Sequence, residues 1–289
     1  MNLCDRSAIE ALLRRHGFRF SKSLGQNFLI EDWVPRQIAG ACGADASCGV
    51  LEIGPGIGPL TYELCQRAGR VAAVELDTAL LPILSETMAG GENFRLVPGD
   101  ILQFNIPALA AEELGGLRPL VCANLPYHIT TPILTALVEA GCFESITVMI
   151  QKEVAERIAA APGPEYGAFS VFMQYHTEPR VLFEVPRECF LPAPKVTSAV
   201  LHCPVRPAPA VSPRCGEAFF FRTVRAAFAQ RRKTLINSLS PAFGDRLDKG
   251  ELREAVISCG LPETVRGERL GLAEFAALSD ALADRISGE

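Results

Sequence analysis

Val50-Leu51-Glu52-Ile53-Gly54-Pro55-Gly56-Ile57-Gly58 joins a short apolar run to an amphipathic segment, Pro59–Arg67. The apolar run reads as a strand and the segment after it as a helix. Glycines at such a junction let the backbone approach a ligand at the strand's carboxyl end, where open α/β sheets bind. The spacing is G-x-G-x-G rather than G-x-G-x-x-G, and Pro55 stands inside the loop, so a dinucleotide is disfavoured. There is no G-K-[ST], which leaves ATP and GTP hydrolysis without support.

Outward from the loop, the next strand ends in Val74-Glu75-Leu76-Asp77 and the third in Pro98-Gly99-Asp100. An acid at Glu75 can accept both hydroxyls of a ribose. Asp100 would sit beside an adenine edge and accept from its exocyclic amine. Acids at the ends of strands one, two and three describe an adenosine cradle without a pyrophosphate site. S-adenosylmethionine fits that description, and its cationic sulfonium tolerates an acid such as Glu52 beneath the loop.

The same alternation continues along the chain. Val50–Ile53, Val71–Leu76, Phe94–Val97, Leu120–Ala123 and Ile146–Ile150 read as apolar strands. Amphipathic segments such as Ala79–Met88 separate them, and Thr131-Pro132 through Ala140 reads as a capped helix stopped by Gly141. This pattern predicts a largely parallel sheet with helices on both faces, a Rossmann-like α/β fold. Phe169–His176, Val181–Val185 and Ala199–Cys203 read as closely spaced strands added antiparallel at one edge. Near the N-terminus, residues 7–17 read as a helix with Ser7 and Glu10 at capping-box spacing and Gly17 at its end. Pro204 to Pro213 holds four prolines in ten residues, a stiff linker. The expected division is therefore 1–203 for the N-terminal segment and α/β domain, 204–216 for the linker, and 217–289 for a small α-helical domain.

Composition narrows the functional classes. The 289 residues suggest about two domains at roughly 150 residues each. No run approaches 18 consecutive apolar residues and no basic-then-apolar leader opens the chain, so no membrane is expected and the location is expected to be cytoplasmic. The ten cysteines form no C-x-x-C pair and there are only four histidines, which disfavours a metal or redox centre. No metal is expected. The net charge of −5 conceals +3 over residues 1–30, −11 over 31–186 and +3 over 187–289. Both ends are basic, which admits a nucleic-acid partner that the whole-chain charge argues against.

Asn124-Leu125-Pro126-Tyr127 follows the fourth strand. An exocyclic amine is a poor nucleophile because its lone pair is delocalised into the ring. Two acceptors holding its hydrogens favour a pyramidal nitrogen and stabilise the charge that develops as a methyl transfers. The Asn124 side-chain oxygen supplies one acceptor, and the carbonyl of Leu125 or Pro126 the other. Tyr127 offers a face on which a base stacks, worth roughly 1–3 kcal/mol. A base inside a helix cannot reach such a site, so the target must be single-stranded or flipped out. Phe190, in Phe190-Leu191-Pro192-Ala193-Pro194-Lys195-Val196, is expected to cover the other face of the base.

With these segments in hand, the chain resembles the KsgA/RsmA family of rRNA adenine N6-dimethyltransferases. Leu24–Leu29 (L-G-Q-N-F-L), Leu51–Gly58, Val74–Asp77, Gly99-Asp100, Asn124–Tyr127, Phe190–Val196 and Ala227–Leu235 carry the resemblance in the family's order. The glycine loop alone is shared with most methyltransferases. The first, fifth and last two segments are far more specific. The resemblance implies a Rossmann-like S-adenosylmethionine-dependent methyltransferase domain with a small α-helical C-terminal domain. By motif, it implies donor contacts at Gln26, Asn27, Leu29, Gly54, Glu75, Asp100 and Asn124, to which the glycine-loop reading adds Gly56. It implies two methyls on each of two adjacent adenosines near the 3′ end of small-subunit rRNA. The expected partner is thus that rRNA within the immature small ribosomal subunit, with the enzyme a monomer. His128 is a departure, since the family more often has Asn there.

Residues 218–239 read as one helix. At 100° per residue, Phe220, Phe221, Val224, Ala227, Phe228 and Leu235 share an arc of roughly 120°. Arg222, Arg225, Arg232 and Lys233 fall on a neighbouring arc, a basic ridge expected to contact RNA phosphates. Arg231 falls on the apolar arc and must snorkel or mark a bend. Three other readings compete: a large-subunit rRNA methyltransferase conferring antibiotic resistance, a binding protein that has lost catalysis, and an NAD-dependent oxidoreductase. The Phe190–Val196 and Ala227–Leu235 segments disfavour the first. Intact Asn124–Tyr127, Glu75 and Asp100 disfavour the second, and the loop spacing disfavours the third.

Overall fold

The structure is a computed structural model that describes residues 2–21 and 25–288. The elements in chain order are α1 (Arg6–Arg15), β1 (Phe28–Leu29), α2 (Trp33–Ala41), β2 (Cys48–Ile53), α3 (Pro59–Cys65), β3 (Arg70–Glu75), α4 (Leu81–Thr87), β4 (Phe94–Pro98), α5 (Ile106–Glu113), β5 (Arg118–Asn124), α6 (Thr130–Glu139) and β6 (Ser145–Gln151). They continue with α7 (Lys152–Ala159), α8 (Ala168–His176), β7 (Arg180–Val185), β8 (Phe190–Leu191), β9 (Ser198–Pro204), α9 (Glu217–Phe228), α10 (Leu235–Phe243), α11 (Lys249–Ser258) and α12 (Leu272–Ser287).

Two compact units emerge. The first comprises the described residues of Met1–Ala155 with Arg180–Val205, the second Glu156–Pro179 with those of Arg206–Glu289. In the first, seven strands pair in the order β4-β3-β2-β5-β6-β9-β7. β4 through β6 run parallel, while β9 lies antiparallel on β6 and β7 antiparallel on β9. All six residues of β2 are buried, as a central parallel strand covered on both faces requires. Its apolar side chains pack with Ile38 of α2 and Leu64 of α3. The pair β1–β8 forms a separate two-stranded sheet. The expected α/β sheet with an antiparallel edge is what forms.

Three expectations are corrected. Phe169–His176 is helix α8 rather than a strand. A helix sets Phe172 and Tyr175 against Phe221 of α9, with ring centroids 5.7 and 5.0 Å apart, whereas a strand would send them to opposite faces. The Ser170 hydroxyl fixes the helix start, accepting from the Gly167 N–H at 3.1 Å and donating to the Arg157 carbonyl at 2.6 Å. This packing also draws residues 156–179 into the second unit, away from the division expected at 203. Second, residues 218–239 are not one helix: α9 ends at Phe228 and α10 begins at Leu235. The Leu235 N–H donates outside its own helix, to the Val265 carbonyl at 2.7 Å. Arg231 marks this bend, bonding to the Pro164 carbonyl and pairing with Glu268 at 3.7 Å. Third, α1 is capped by Asp5, whose carboxylate accepts from the Ala8 N–H at 2.8 Å, and Ser7 only donates to that carboxylate.

Candidate active site

β2, β3 and β4 stop side by side, with Ile53 opposite Val74 and Glu75 opposite Pro98. Connections from β2 leave towards β3 on one side, while β5 lies on the other, so the crevice between them is a topological switch point. A cavity of about 1070 Å³, its open mouth included, lies there. Its walls include Gln26, Asn27 and Leu29 from the N-terminal segment, Gly54 and Gly56 from the loop, Glu75, Asp100, and all of Asn124–Tyr127. The expected donor contacts and the tetrapeptide therefore share one cavity.

The loop makes its turn with positive φ at Gly54 (66°) and Gly56 (64°), a region that side-chain-bearing residues rarely adopt. A Cβ on Gly56 would lie 3.3 Å from the Phe28 ring. A Cβ on Gly54 would meet no atom within 4 Å, so at Gly54 the backbone itself forms the wall of an open cradle. The Glu75 carboxylate is buried and oriented by two backbone donors, Gly56 N–H at 3.3 Å and Asp77 N–H at 2.8 Å. Burial raises its pKa above the ordinary carboxylate value, and these two donors oppose the rise. Asp100 accepts from the Leu102 N–H at 3.0 Å, capping a short 3₁₀ turn while it lines the cavity. Leu76 follows Glu75, Ile101 follows Asp100, and both line the cavity, giving apolar walls beside the two acids. A glycine cradle, acids after β3 and β4, and apolar residues next to them suit an adenosine moiety.

The N-terminal segment is tied to the cavity by Gln26, whose amide donates to Asp77 at 2.5 Å and accepts from the Ser21 N–H at 2.9 Å. Asn27 donates to the Gly25 carbonyl at 2.9 Å. Leu29 is buried in β1, opposite Phe190 of β8. Lys22 and Leu24, the latter the first residue of the L-G-Q-N-F-L motif, lie outside the described residues.

The tetrapeptide is held by β6. The Leu125 N–H donates to the Met149 carbonyl at 3.0 Å, fixing the chain just after Asn124. The Pro126 carbonyl accepts from Ile129 N–H at 3.3 Å and Thr130 hydroxyl at 3.1 Å. Among the described residues nothing donates to the Asn124 side chain or to the Leu125 carbonyl. Of the two carbonyls, that of Pro126 is engaged by the following turn and that of Leu125 is not. Tyr127 opens a 3₁₀ turn, is half-buried, and its hydroxyl bonds Ser198 at 2.6 Å. Burial raises the tyrosine pKa, so its hydroxyl stays protonated at neutral pH. His128 lines the cavity with it.

Phe190 is a correction. It is 2% exposed, lies outside the cavity wall, and packs in the core with Val34 and Val185. Its pairing with Leu29 in a two-residue strand buries the ring rather than offering it to a base. The expected ridge also changes shape. Arg222 and Arg225 are on α9, while Arg232 and Lys233 are in the turn after it, and all four are exposed. Arg222 is partly engaged, donating to the Ala242 carbonyl at 2.5 Å with its guanidinium 4.7 Å above the Phe243 ring. Arg225, Arg232 and Lys233 form no ion pair among the described residues.

Sequence reasoning did not single out Leu76, Ile101, Phe28 or Ser198. Leu76 and Ile101 carry a readable signal, an apolar residue directly after each cavity acid. Ser198 carries none, because its place beside Tyr127 arises only when β9 adds to β6.

The residues 17–260 match the family described as ribosomal RNA adenine dimethylase. The chain is 46% identical over 275 residues to the ribosomal RNA small subunit methyltransferase A of Geobacillus thermodenitrificans, covering 94% of each. It is 46% identical over 286 residues to the protein of the same name from Streptococcus pneumoniae, covering 98% of each. Among solved structures it is similar to the 23S rRNA methyltransferase ErmE, with TM-score 0.70 and 25% identity, over 89% of this chain and 99% of that one. It also shares its fold with a dimethyladenosine transferase from Plasmodium falciparum, with TM-score 0.72 and 21% identity, over 86% and 95%.

Proposed function

This chain belongs to the ribosomal RNA adenine dimethylase family, and on that premise we propose how its cavity works. The chain is an enzyme, a small-subunit rRNA adenine dimethyltransferase that uses S-adenosylmethionine. Its product is two methyls on N6 of each of two adjacent adenosines near the 3′ end of that rRNA. Glu75 accepts from the ribose hydroxyls, Asp100 from the adenine amine, and Gly54 and Gly56 let the backbone close on the donor, with Gln26, Asn27 and Leu29 forming the remaining wall. The donor supplies a methyl group on a sulfonium, an excellent leaving group. No general base is then required, and no metal.

The target adenine, flipped out of its strand, stacks on Tyr127. Its amine donates one hydrogen to the Asn124 side-chain oxygen and the other to the Leu125 carbonyl. Pro126 contributes by conformation: it has no N–H of its own, and its carbonyl is held by the turn that follows. These acceptors stabilise the charge that develops on nitrogen, and the proton leaves to water after transfer. The observation that carries the reading is the meeting of Glu75, Asp100 and the Asn124–Tyr127 turn in one cavity. Arg222, Arg225, Arg232 and Lys233 hold the rRNA by its phosphates. The catalytic and RNA-holding tasks divide along the two units. The substrate is the immature small subunit, met in the cytoplasm by a monomer. No described helix is long and apolar enough to cross a membrane.

Labelled-methyl transfer to immature small subunits lacking the modification tests the reading, with naked small-subunit rRNA, large-subunit rRNA and DNA alongside and mass mapping of the product. N6,N6-dimethyladenosine in the small subunit is the expected outcome. Methyl on large-subunit rRNA alone would refute the substrate assignment.

A further inference from the structure

Methyl transfer leaves one charged group of the cavity without a task. Glu52 lies in β2 just before the glycine loop, lines the cavity, and is 1% exposed. Its Oε2 has no hydrogen-bond partner among the described residues, and neither has the hydroxyl of the adjacent Thr61 on α3. Around it stand Cys65 of α3, Cys122 of β5 and Glu75 of β3. None of these is a cation. A buried carboxylate without a cation carries a heavy desolvation penalty and takes up a proton instead. Burial accordingly pushes the Glu52 carboxyl up to about 8, with the Glu75 charge adding to the rise. An orphaned acid at a cavity wall is thus poised for a positively charged ligand.

We propose that Glu52 is the counter-charge for the cationic methionine end of the donor: its carboxyl gives up a proton as the donor enters, so capture of donor is coupled to proton release. The inference rests on S-adenosylmethionine being the donor. The product is a neutral thioether with one positive charge fewer, so it draws out less of the proton and is held less tightly. The sign follows from the acid's behaviour. At pH 7 roughly nine in ten free molecules hold the Glu52 proton, so binding releases up to ~0.9 proton. Donor affinity therefore rises by more than about tenfold from pH 6 to 8 and flattens above. Glu75 also carries a raised pKa, but it faces the ribose common to donor and product. Its contribution cancels when the two ligands are compared.

Calorimetric titration of the whole chain at pH 7 with S-adenosylmethionine and with its thioether product, each in two buffers of different ionisation enthalpy, counts the protons. The wild type is expected to release close to one proton with the donor and clearly fewer with the product. Glu52→Gln is expected to release clearly fewer protons than the wild type, with a correspondingly shallower rise of donor affinity from pH 6 to 8. Equal release by wild type and Glu52→Gln overturns the proposal, as does equal release with donor and product in the wild type. The second comparison needs no variant, so it stands even if Glu52→Gln does not fold. Absence of donor binding by the wild type would instead refute the donor assignment itself.

Discussion

On the proposed mechanism, replacing Asn124 by Ala removes one of two acceptors for the target amine and leaves the other in place. The side chain has no hydrogen-bond partner among the described residues. The following residue stays anchored by its own N–H to the Met149 carbonyl at 3.0 Å, so the turn is expected to keep its position. Surface-like deletions of this kind change folding stability by only about 0.5 kcal/mol. The effect on the reaction is larger, because an acceptor aimed at developing charge is worth roughly 10²–10³ in rate, or about 2.7–4 kcal/mol. The Leu125 carbonyl, proposed to take the second hydrogen, cannot compensate, and the Pro126 carbonyl is occupied by Ile129 and Thr130. Asn124 also lines the cavity proposed to hold the donor, so loss of one neutral hydrogen bond is expected to cost about 0.5–1.5 kcal/mol in donor binding. Single-turnover methyl transfer at saturating donor measures the first quantity and calorimetry the second. A single-turnover rate within threefold of wild type, with the unfolding midpoint unchanged, would refute the acceptor role.

Glu75→Ala is expected to weaken donor binding by roughly tenfold or more, since hydrogen bonds to a charged group contribute about 1.5–3 kcal/mol; an unchanged calorimetric affinity removes the ribose assignment. Tyr127→Ala is expected to raise the KM for rRNA substrate by the roughly 1–3 kcal/mol of a stacked base, while Tyr127→Phe, which loses only the Ser198 bond, keeps most of that binding. Equal losses in the two variants would assign the role to the hydroxyl instead. Removing Arg225, Arg232 and Lys233 together is expected to lower the slope of log affinity against log salt by about two, at roughly 0.7–0.9 for each phosphate no longer neutralised. An unaltered slope would place the phosphate-binding cations elsewhere. Because folding raises the Glu52 pKa, its contribution to stability is complete below about 4.5 and is lost as pH climbs towards 8, at up to about 1.4 kcal/mol per pH unit. The melting temperature of donor-free Glu52→Gln should therefore gain on wild type between pH 5 and 8, and a constant gap refutes the buried-acid account.

The central sheet was legible because each parallel strand announces itself as a short apolar run, and the cavity residues stand just past the ends of those runs. Gly54, Glu75, Asp100 and Asn124 are far apart in the chain, yet strand register alone brings them together. Where sequence reasoning failed, local pattern competed with tertiary packing. Ala-Phe-Ser-Val-Phe-Met-Gln-Tyr-His alternates well enough for a strand, and only the aromatic face of α9 selects the helix. The basic run 231–233 fits a continuing helix on periodicity, and the Val265 carbonyl that ends it is thirty residues away. Phe190 departs from the expectation that it covers the target base because its pairing with Leu29, far away in the chain, buries the ring.

A methyltransferase of this kind must hold a cation and a polyanion with one chain. The charge pattern separates those tasks, −11 over residues 31–186 and +3 over both ends. The acids that line the donor cavity are withdrawn from solvent, Glu52 at 1% and Glu75 at 6% exposure. Their field is consequently little screened within the cavity, while it is muted for a phosphate backbone approaching from water. The cations proposed to serve the polyanion are exposed, where counterion release supplies the driving force. Depth of burial thus lets opposite charges coexist without cancelling. It also predicts different responses: rRNA binding is expected to fall steeply with salt, whereas donor binding is expected to answer chiefly to pH.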